Sequence, residues 1–196
     1  MLIAIINYGV GNLRSLENVF IRHSLNYIIT SNPEDIAAAD KIILPGVGAA
    51  KHAMQKLEEY SLVDVIKSSK QPLMGICLGM QLLCSHSEEE DVDCLGIVPN
   101  RVKLLQGGCG IKVPHIGWNS VEHNGDNLLY NGINSGEYFY YVHSYGVEVN
   151  DYTIATTTNG DTFSASINKD NFYGCQFHPE KSGDIGEKLL LEFVRS

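Results

Sequence analysis

Basic residues are scarce in this chain: 14 Lys and Arg stand against 23 Asp and Glu, a formal net charge of -9. That balance argues against a broad cationic surface for nucleic acid or anionic membranes. Long apolar runs are missing as well, and none approaches the roughly 18 residues that a membrane helix needs. The opening stretch, MLIAIINYGVGN, carries neither a basic region nor a small-residue cleavage site. It reads as a first strand rather than a targeting segment, and the cytoplasm is the expected location. Tryptophan is down to a single residue, Trp118.

The five cysteines, Cys77, Cys84, Cys94, Cys109 and Cys175, are odd in number and form no CxxC pair. A disulfide framework or a thiolate zinc site is therefore excluded as an organising principle, and a packed, reduced thiol is the default for each. With 196 residues, 44% of them hydrophobic, the chain can bury a substantial core, and residues 1–196 are expected to form one domain.

The first half alternates strand and helix patterns. Leu2 to Ile6 is apolar throughout, as a strand covered on both faces should be, and Tyr8 to Asn12 (YGVGN) is a turn. Leu13, Leu16, Val19, Phe20 and His23 then recur at helical spacing. Tyr27 to Thr30 is a second strand, and Asn32-Pro33 opens a helix with a capping Asn and a proline in its first turn. Lys41 to Leu44 is a third strand, ending in Pro45-Gly46-Val47-Gly48. Helical patterns follow at Met54 and Leu57, and Ser61 to Asp64 reads as a capping box. Pro72 to Ile76 is the fourth strand.

Strands separated by helices predict an α/β fold, with a mostly parallel central sheet and helices on both faces, in which ligands lie at the carboxyl ends of the strands. The second half offers strand candidates at Arg101–Leu105, Tyr138–His143, Tyr145–Val149, Thr153–Thr158, Phe163–Ile167 and Phe172–Phe177, which predict an antiparallel C-terminal extension of that sheet. Asp184 to Val194 has the pattern of an amphipathic helix. The acidic run Ser87 to Asp93 is read as a solvated loop, and Gln106 to Gly110, QGGCG, is given no function.

Gly75-Ile76-Cys77-Leu78-Gly79 is the cysteine form of a nucleophile elbow, a sharp strand-to-helix turn that lifts one side chain above a sheet. A helix starting at Leu78 would point its N-terminus at the sulfur and favour thiolate, and the Leu78 N–H would be free to donate to an oxyanion. On these five residues alone, packed thiol and nucleophile are equal readings. A base with its own orienting group separates them. His178-Pro179-Glu180 follows a predicted strand, and residues two apart in extended chain share a face, so the carboxylate can hold the imidazole while the other ring nitrogen meets a thiol. Taken singly, that stretch would be a strand terminus with a surface ion pair. An elbow, a His-x-Glu and a Gly-rich turn, all at strand ends, favour catalysis together.

GICLGMQ (Gly75–Gln81) with FHPEKS (Phe177–Ser182) resembles the class I (triad) glutamine amidotransferases. The further stretches YGVGN, LPGVG, PHIGWN (Pro114–Asn119) and YVHSY (Tyr141–Tyr145) are similar to the glutaminase subunits of imidazole glycerol phosphate synthase. The resemblance implies that Cys77 attacks the side-chain amide of glutamine, that His178 protonates the leaving ammonia, and that Glu180 orients His178. It implies an oxyanion hole from Leu78 and the Val47–Gly48 peptide, gated by a partner, and glutamine contacts from Gly46, Gln81, His143, Ser144 and Tyr145. It gives the base to His178 and not to His143, and leaves His23, His52, His86, His115 and His123 as packing or surface residues. Cys84 is expected two turns along the elbow helix, buried and without chemistry. No metal or organic cofactor is implied.

The implied partner is a cyclase subunit, a separate (β/α)₈ barrel with which this chain forms a heterodimer, since 196 residues leave no room for a barrel of roughly 250. The resemblance places Asn12, Trp118, Tyr140 and Lys181 at that interface, where Trp118 is either an anchor or a core aromatic. A paralogous glutaminase feeding another synthase, such as one for surface sugars, would carry the same chemistry.

Overall fold

A computed structural model of the chain describes residues 1–107 and 110–196; Gly108 and Cys109 of the QGGCG stretch lie outside the described residues. The first half runs β1 (Ile3–Ile6), α1 (Leu13–Arg22), β2 (Tyr27–Thr30), α2 (Pro33–Ala38), β3 (Lys41–Leu44), α3 (Ala50–Glu59), α4 (Val63–Ser68), β4 (Leu73–Ile76) and α5 (Leu78–Leu83). Then come β5 (Cys84–Ser87), β6 (Val92–Asp93), β7 (Val98–Leu104), β8 (His115–Val121), β9 (Glu137–His143) and β10 (Tyr145–Val147). The chain closes with β11 (Thr153–Asn159), β12 (Asp161–Lys169), β13 (Phe172–Cys175) and α6 (Gly183–Arg195).

Seven strands form the central sheet in the order β11-β12-β13-β4-β3-β1-β2. The five from β13 to β2 are parallel, and β12 and β11 add on antiparallel. Two cores flank the sheet because side chains alternate along each strand. Ala4, Ile6, Ile42 and Leu44 pack against α2 to α5, while Ile3, Ile5, Ile43 and Met74 pack against α1 and α6. The apolar run of β1 is thus covered on both faces.

The antiparallel extension takes in only part of the second half. β7 and β10 leave the central sheet for a small one of order β10-β7-β5-β6, and β9 pairs with β8 in a two-stranded ribbon. β5, β6 and β8 have no clear period in the sequence: β5 and β6 are too short for alternation to build up, and the seven residues of β8 are mostly half-buried or exposed, with polar side chains and a glycine mixed in. Asn32 caps α2, its side chain accepting from the Glu34 N–H at 3.0 Å. The capping box before α4 does not form. Ser61 is in the left-handed region, at φ 57°, and α4 starts after a buried Leu62 with no side-chain cap, so burial of Leu62 sets this turn. Cys84 is buried but not helical: α5 ends at Leu83, and the chain turns extended there to pair with Val98.

Candidate active site

β3, β4 and β13 are adjacent and parallel, so their carboxyl ends bring three stretches to one edge of the sheet. Pro45–Gly48 follows β3, Cys77 follows β4, and Gln176 to Glu180 follow β13. Cys77 sits at φ 54°, ψ -110°, a strained conformation held by its surroundings, its own N–H donating to Cys175 O at 2.8 Å. A Cβ on Gly75 would lie 2.5 Å from the Gly79 carbonyl oxygen, so strand and helix approach too closely for any side chain there. Leu78 is the first residue of α5, and its N–H has no acceptor within the helix.

His178 and Glu180 meet, by a different route from the one an extended chain predicts. β13 ends at Cys175; His178 stands at the head of a single 3-10 turn, Pro179–Lys181, and that turn swings Glu180 back until its Oε1 is 2.8 Å from His178 Nδ1. Both side chains are 2% exposed. Burial by itself lowers the His178 pKa, but the Cys77 sulfur and the Glu180 carboxylate outweigh it and hold the value up at about 10. Sulfur and carboxylate both favour the charged form of the ring. Among the described residues nothing bonds its Nε2, which borders the same pocket as Cys77.

The strand β9 braces this turn. The His178 N–H donates to Tyr140 O at 2.8 Å, the Tyr140 N–H donates to Ser182 Oγ at 2.9 Å, and the Ser182 hydroxyl donates to His178 O at 2.6 Å.

The sulfur opens onto a cavity of about 160 Å³. Val47, Gly48 and Leu78 line the side next to Cys77, with Gly48 at φ 91°. Gly46 does not line it; a Cβ there would be 2.7 Å from Gly79 N, so this residue serves the close approach of loop and helix. Buried Tyr8, from the YGVGN turn, ties the loop down by donating to Pro45 O at 2.7 Å.

His143, Ser144 and Tyr145 line the opposite wall together with Gln81. Tyr145 O is not open to a ligand, since Gln81 Nε2 and His143 Nδ1 both donate to it at 2.8 Å. Burial drives the His143 pKa down to about 3, with His115 and His178 adding to the effect, so this imidazole stays neutral. Its Nε2 is 3.1 Å from His115 Nδ1, and His115 is a packing residue, buried, stacked on Tyr141 and held by Asn119.

Glu89 was hidden in the acidic run. That run is not a solvated loop throughout: it folds into β5, a turn and β6, and the turn carries Glu89 into the pocket, where Oε2 accepts the Ala50 N–H at 2.9 Å. Burial raises its pKa against the pull of that bond. Gln176 is the other group missed, fully buried with Nε2 3.7 Å from the Cys77 sulfur. Its position two residues before His178, on one face of extended chain, was the available signal.

Outside the pocket, Trp118 is no core residue: it is 55% exposed and lies across from Tyr140 on the ribbon, ring centroids 6.1 Å apart. Lys181 is exposed, and Asn12, before α1, donates to Ser15 Oγ at 2.7 Å. Among the described residues no group of three or more His, Cys, Asp and Glu could hold a metal ion, and no helix is long and apolar enough to cross a membrane.

A cysteine on a strand-to-helix turn, beside an imidazole and carboxylate from the neighbouring parallel strand, is the arrangement of an amide hydrolase with a triad. The family described as Glutamine amidotransferase class-I matches residues 4–195, and the chain belongs to it. It is 46% identical, over 195 residues covering 99% of both chains, to the imidazole glycerol phosphate synthase subunit HisH of Escherichia coli (strain K12). It is 44% identical over 193 residues to HisH 2 of Legionella pneumophila (strain Paris), covering 98% of this chain and 97% of that one. Within the class, the protein belongs with these HisH glutaminase subunits of histidine biosynthesis. The fold is shared more widely. A glutamine amidotransferase from Thermotoga maritima superposes with TM-score 0.68 at 17% identity, covering 100% of this chain and 83% of its own. PurLQS from the same organism does so at 0.69 and 19%, covering 99% and 97%.

Proposed function

We propose that the chain hydrolyses L-glutamine to glutamate and ammonia through a thioester on Cys77, and passes the ammonia to a separate (β/α)₈-barrel cyclase subunit in the cytoplasm. That partner would make imidazole glycerol phosphate and aminoimidazole carboxamide ribotide. The Cys77 thiolate attacks the amide carbon, and the oxyanion is met by the N–H groups of Leu78 and the Val47–Gly48 peptide. His178, as imidazolium, gives its Nε2 proton to the departing nitrogen and then takes one from the water that cleaves the thioester. Glu180 holds the ring through Nδ1 in both steps.

Gln81 and Glu89 make the pocket selective for an amino acid. Both Gln81 N–H bonds are taken, by Tyr145 O and Gln176 Oε1, so its free group toward the cavity is an acceptor. An acceptor beside a carboxylate suits an α-ammonium group. Glu89→Gln keeps an acceptor for Ala50 and removes the charge. We expect KM for glutamine to rise about tenfold or more, with kcat changed far less; an unchanged KM would remove Glu89 from recognition.

The observation that carries the partner reading is an apolar face that reaches the pocket mouth. Ile116, Trp118 and Tyr138 on the ribbon are each more than half exposed, and Val142 and Val47, 38% and 39% exposed, belong both to that surface and to the cavity lining. A partner seated there would close the mouth and receive ammonia without release to solvent, with Tyr140, Lys181 and Asn12 at its rim. Glutamate release should rise when the cyclase and its own substrate are added, which also tests gating at Val47–Gly48. Trp118→Ala should weaken the complex about 30-fold or more in Kd, as loss of an interfacial tryptophan does. Full affinity in a titration of that variant with the cyclase would refute the anchor.

A further inference from the structure

The orientation of two buried amides near the nucleophile follows from one carbonyl. Tyr145 O can only accept, and Gln81 Nε2 lies 2.8 Å from it, so the Gln81 nitrogen must face Tyr145. That nitrogen has a second hydrogen, which goes to Gln176 Oε1 at 3.0 Å. The Gln176 oxygen is therefore on the Gln81 side, and its Nε2 faces the Cys77 sulfur at 3.7 Å. The reverse orientation would set two NH₂ groups against each other and turn an oxygen lone pair toward a thiolate. Gln176 is fully buried, and its backbone N–H is fixed to Ala165 O at 2.8 Å.

We propose that Gln176 is a further catalytic residue, whose side-chain N–H donates to the Cys77 sulfur and holds it as an aimed thiolate. The inference rests on Cys77 being the nucleophile. His178 and Gln176 leave the end of β13 two residues apart and both border the sulfur, so the ring that must give up its proton during turnover is backed by a donor that never does. A hydrogen bond to the charged form favours that form, and in a buried site it is stronger than in water. Gln81 then has two duties, toward the substrate with its oxygen and toward the nucleophile through Gln176.

Two variants separate the donor from the packing. Gln176→Glu keeps the volume and an acceptor for Gln81 but replaces the N–H facing sulfur by a carboxyl oxygen; Gln176→Met removes both polar ends. Iodoacetamide labelling of Cys77, read from its peptide by mass spectrometry across neutral to alkaline pH, is compared with kcat and KM for glutamate release by the complex with the cyclase. We expect the labelling profile to move to higher pH in both variants, further in Gln176→Glu, and kcat to fall about tenfold with KM little changed. Profiles and kcat that match the parent in Gln176→Glu would overturn the proposal, as would a loss confined to KM. If labelling of the parent at Cys77 left glutamate release intact, the nucleophile assignment itself would fail; if labelling abolished release while both variants behaved like the parent, only the role of Gln176 would.

Discussion

Cys77→Ala is expected to lower glutamate release by the complex by more than about four orders of magnitude, as loss of the nucleophile does in other covalent hydrolases. Synthesis driven by added ammonia should continue at the parent rate, because that step belongs to the cyclase. The fold should tolerate the change. Cys77 is small and 6% exposed, and Ala meets the same backbone strain at φ 54° that Cys does, so the unfolding temperature should move little. The variant also reports on the charge pair. With the sulfur gone, the His178 pKa should drop from about 10, since Cys77 is a principal cause that raises it and Glu180 alone then opposes burial. Histidine NMR titration of parent and variant measures that directly. Glutamate release surviving in Cys77→Ala would remove the covalent mechanism.

The second large effect is structural. A Cβ on Gly79 would lie 1.9 Å from Leu44 O and 3.0 Å from Leu44 C, with no flexible side-chain end to give way. Gly79→Ala must therefore displace α5 from the carboxyl end of β3, at a cost above about 3 kcal/mol. We expect Tm to fall by about 10 °C or more, or the chain to be recovered unfolded. Any folded fraction should show Cys77 labelling far slower than the parent, since the elbow that aims the sulfur has moved. A variant melting within a few degrees of the parent would mean that the helix does not need this contact.

The elbow, the pairing of His178 with Glu180 and the strand-helix alternation were legible in the sequence because each depends on local chemistry. Glycines two residues either side of Cys77 are required wherever backbone meets backbone that closely, and an unbroken apolar β1 is the signature of a strand with two covered faces. His178 and Glu180 were paired correctly, though by a 3-10 turn and not an extended strand, because two different backbones bring residues i and i+2 within hydrogen-bond reach.

Tertiary structure alone decided the rest. The ribbon β8–β9 and the sheet β10-β7-β5-β6 depend on pairings between segments far apart in the chain, and nothing local in Cys84–Ser87 or His115–Val121 announces them. Glu89 was indistinguishable from its acidic neighbours until the β5–β6 turn aimed it at the cavity. Whether Trp118 was core or surface was undecidable from its type, since a tryptophan serves both, and it was settled by ribbon register: Trp118 shares the open face with Ile116 and Tyr138, while Phe139 and Tyr141 are buried on the other. Gln176 has a direction only because a carbonyl 31 residues upstream, at Tyr145, can accept but not donate. The sequence by itself determined which reactive groups stand at the strand ends, since residue type and backbone shape are local; the tertiary structure decided which groups face them, since hydrogen-bond orientation is passed from neighbour to neighbour across the fold.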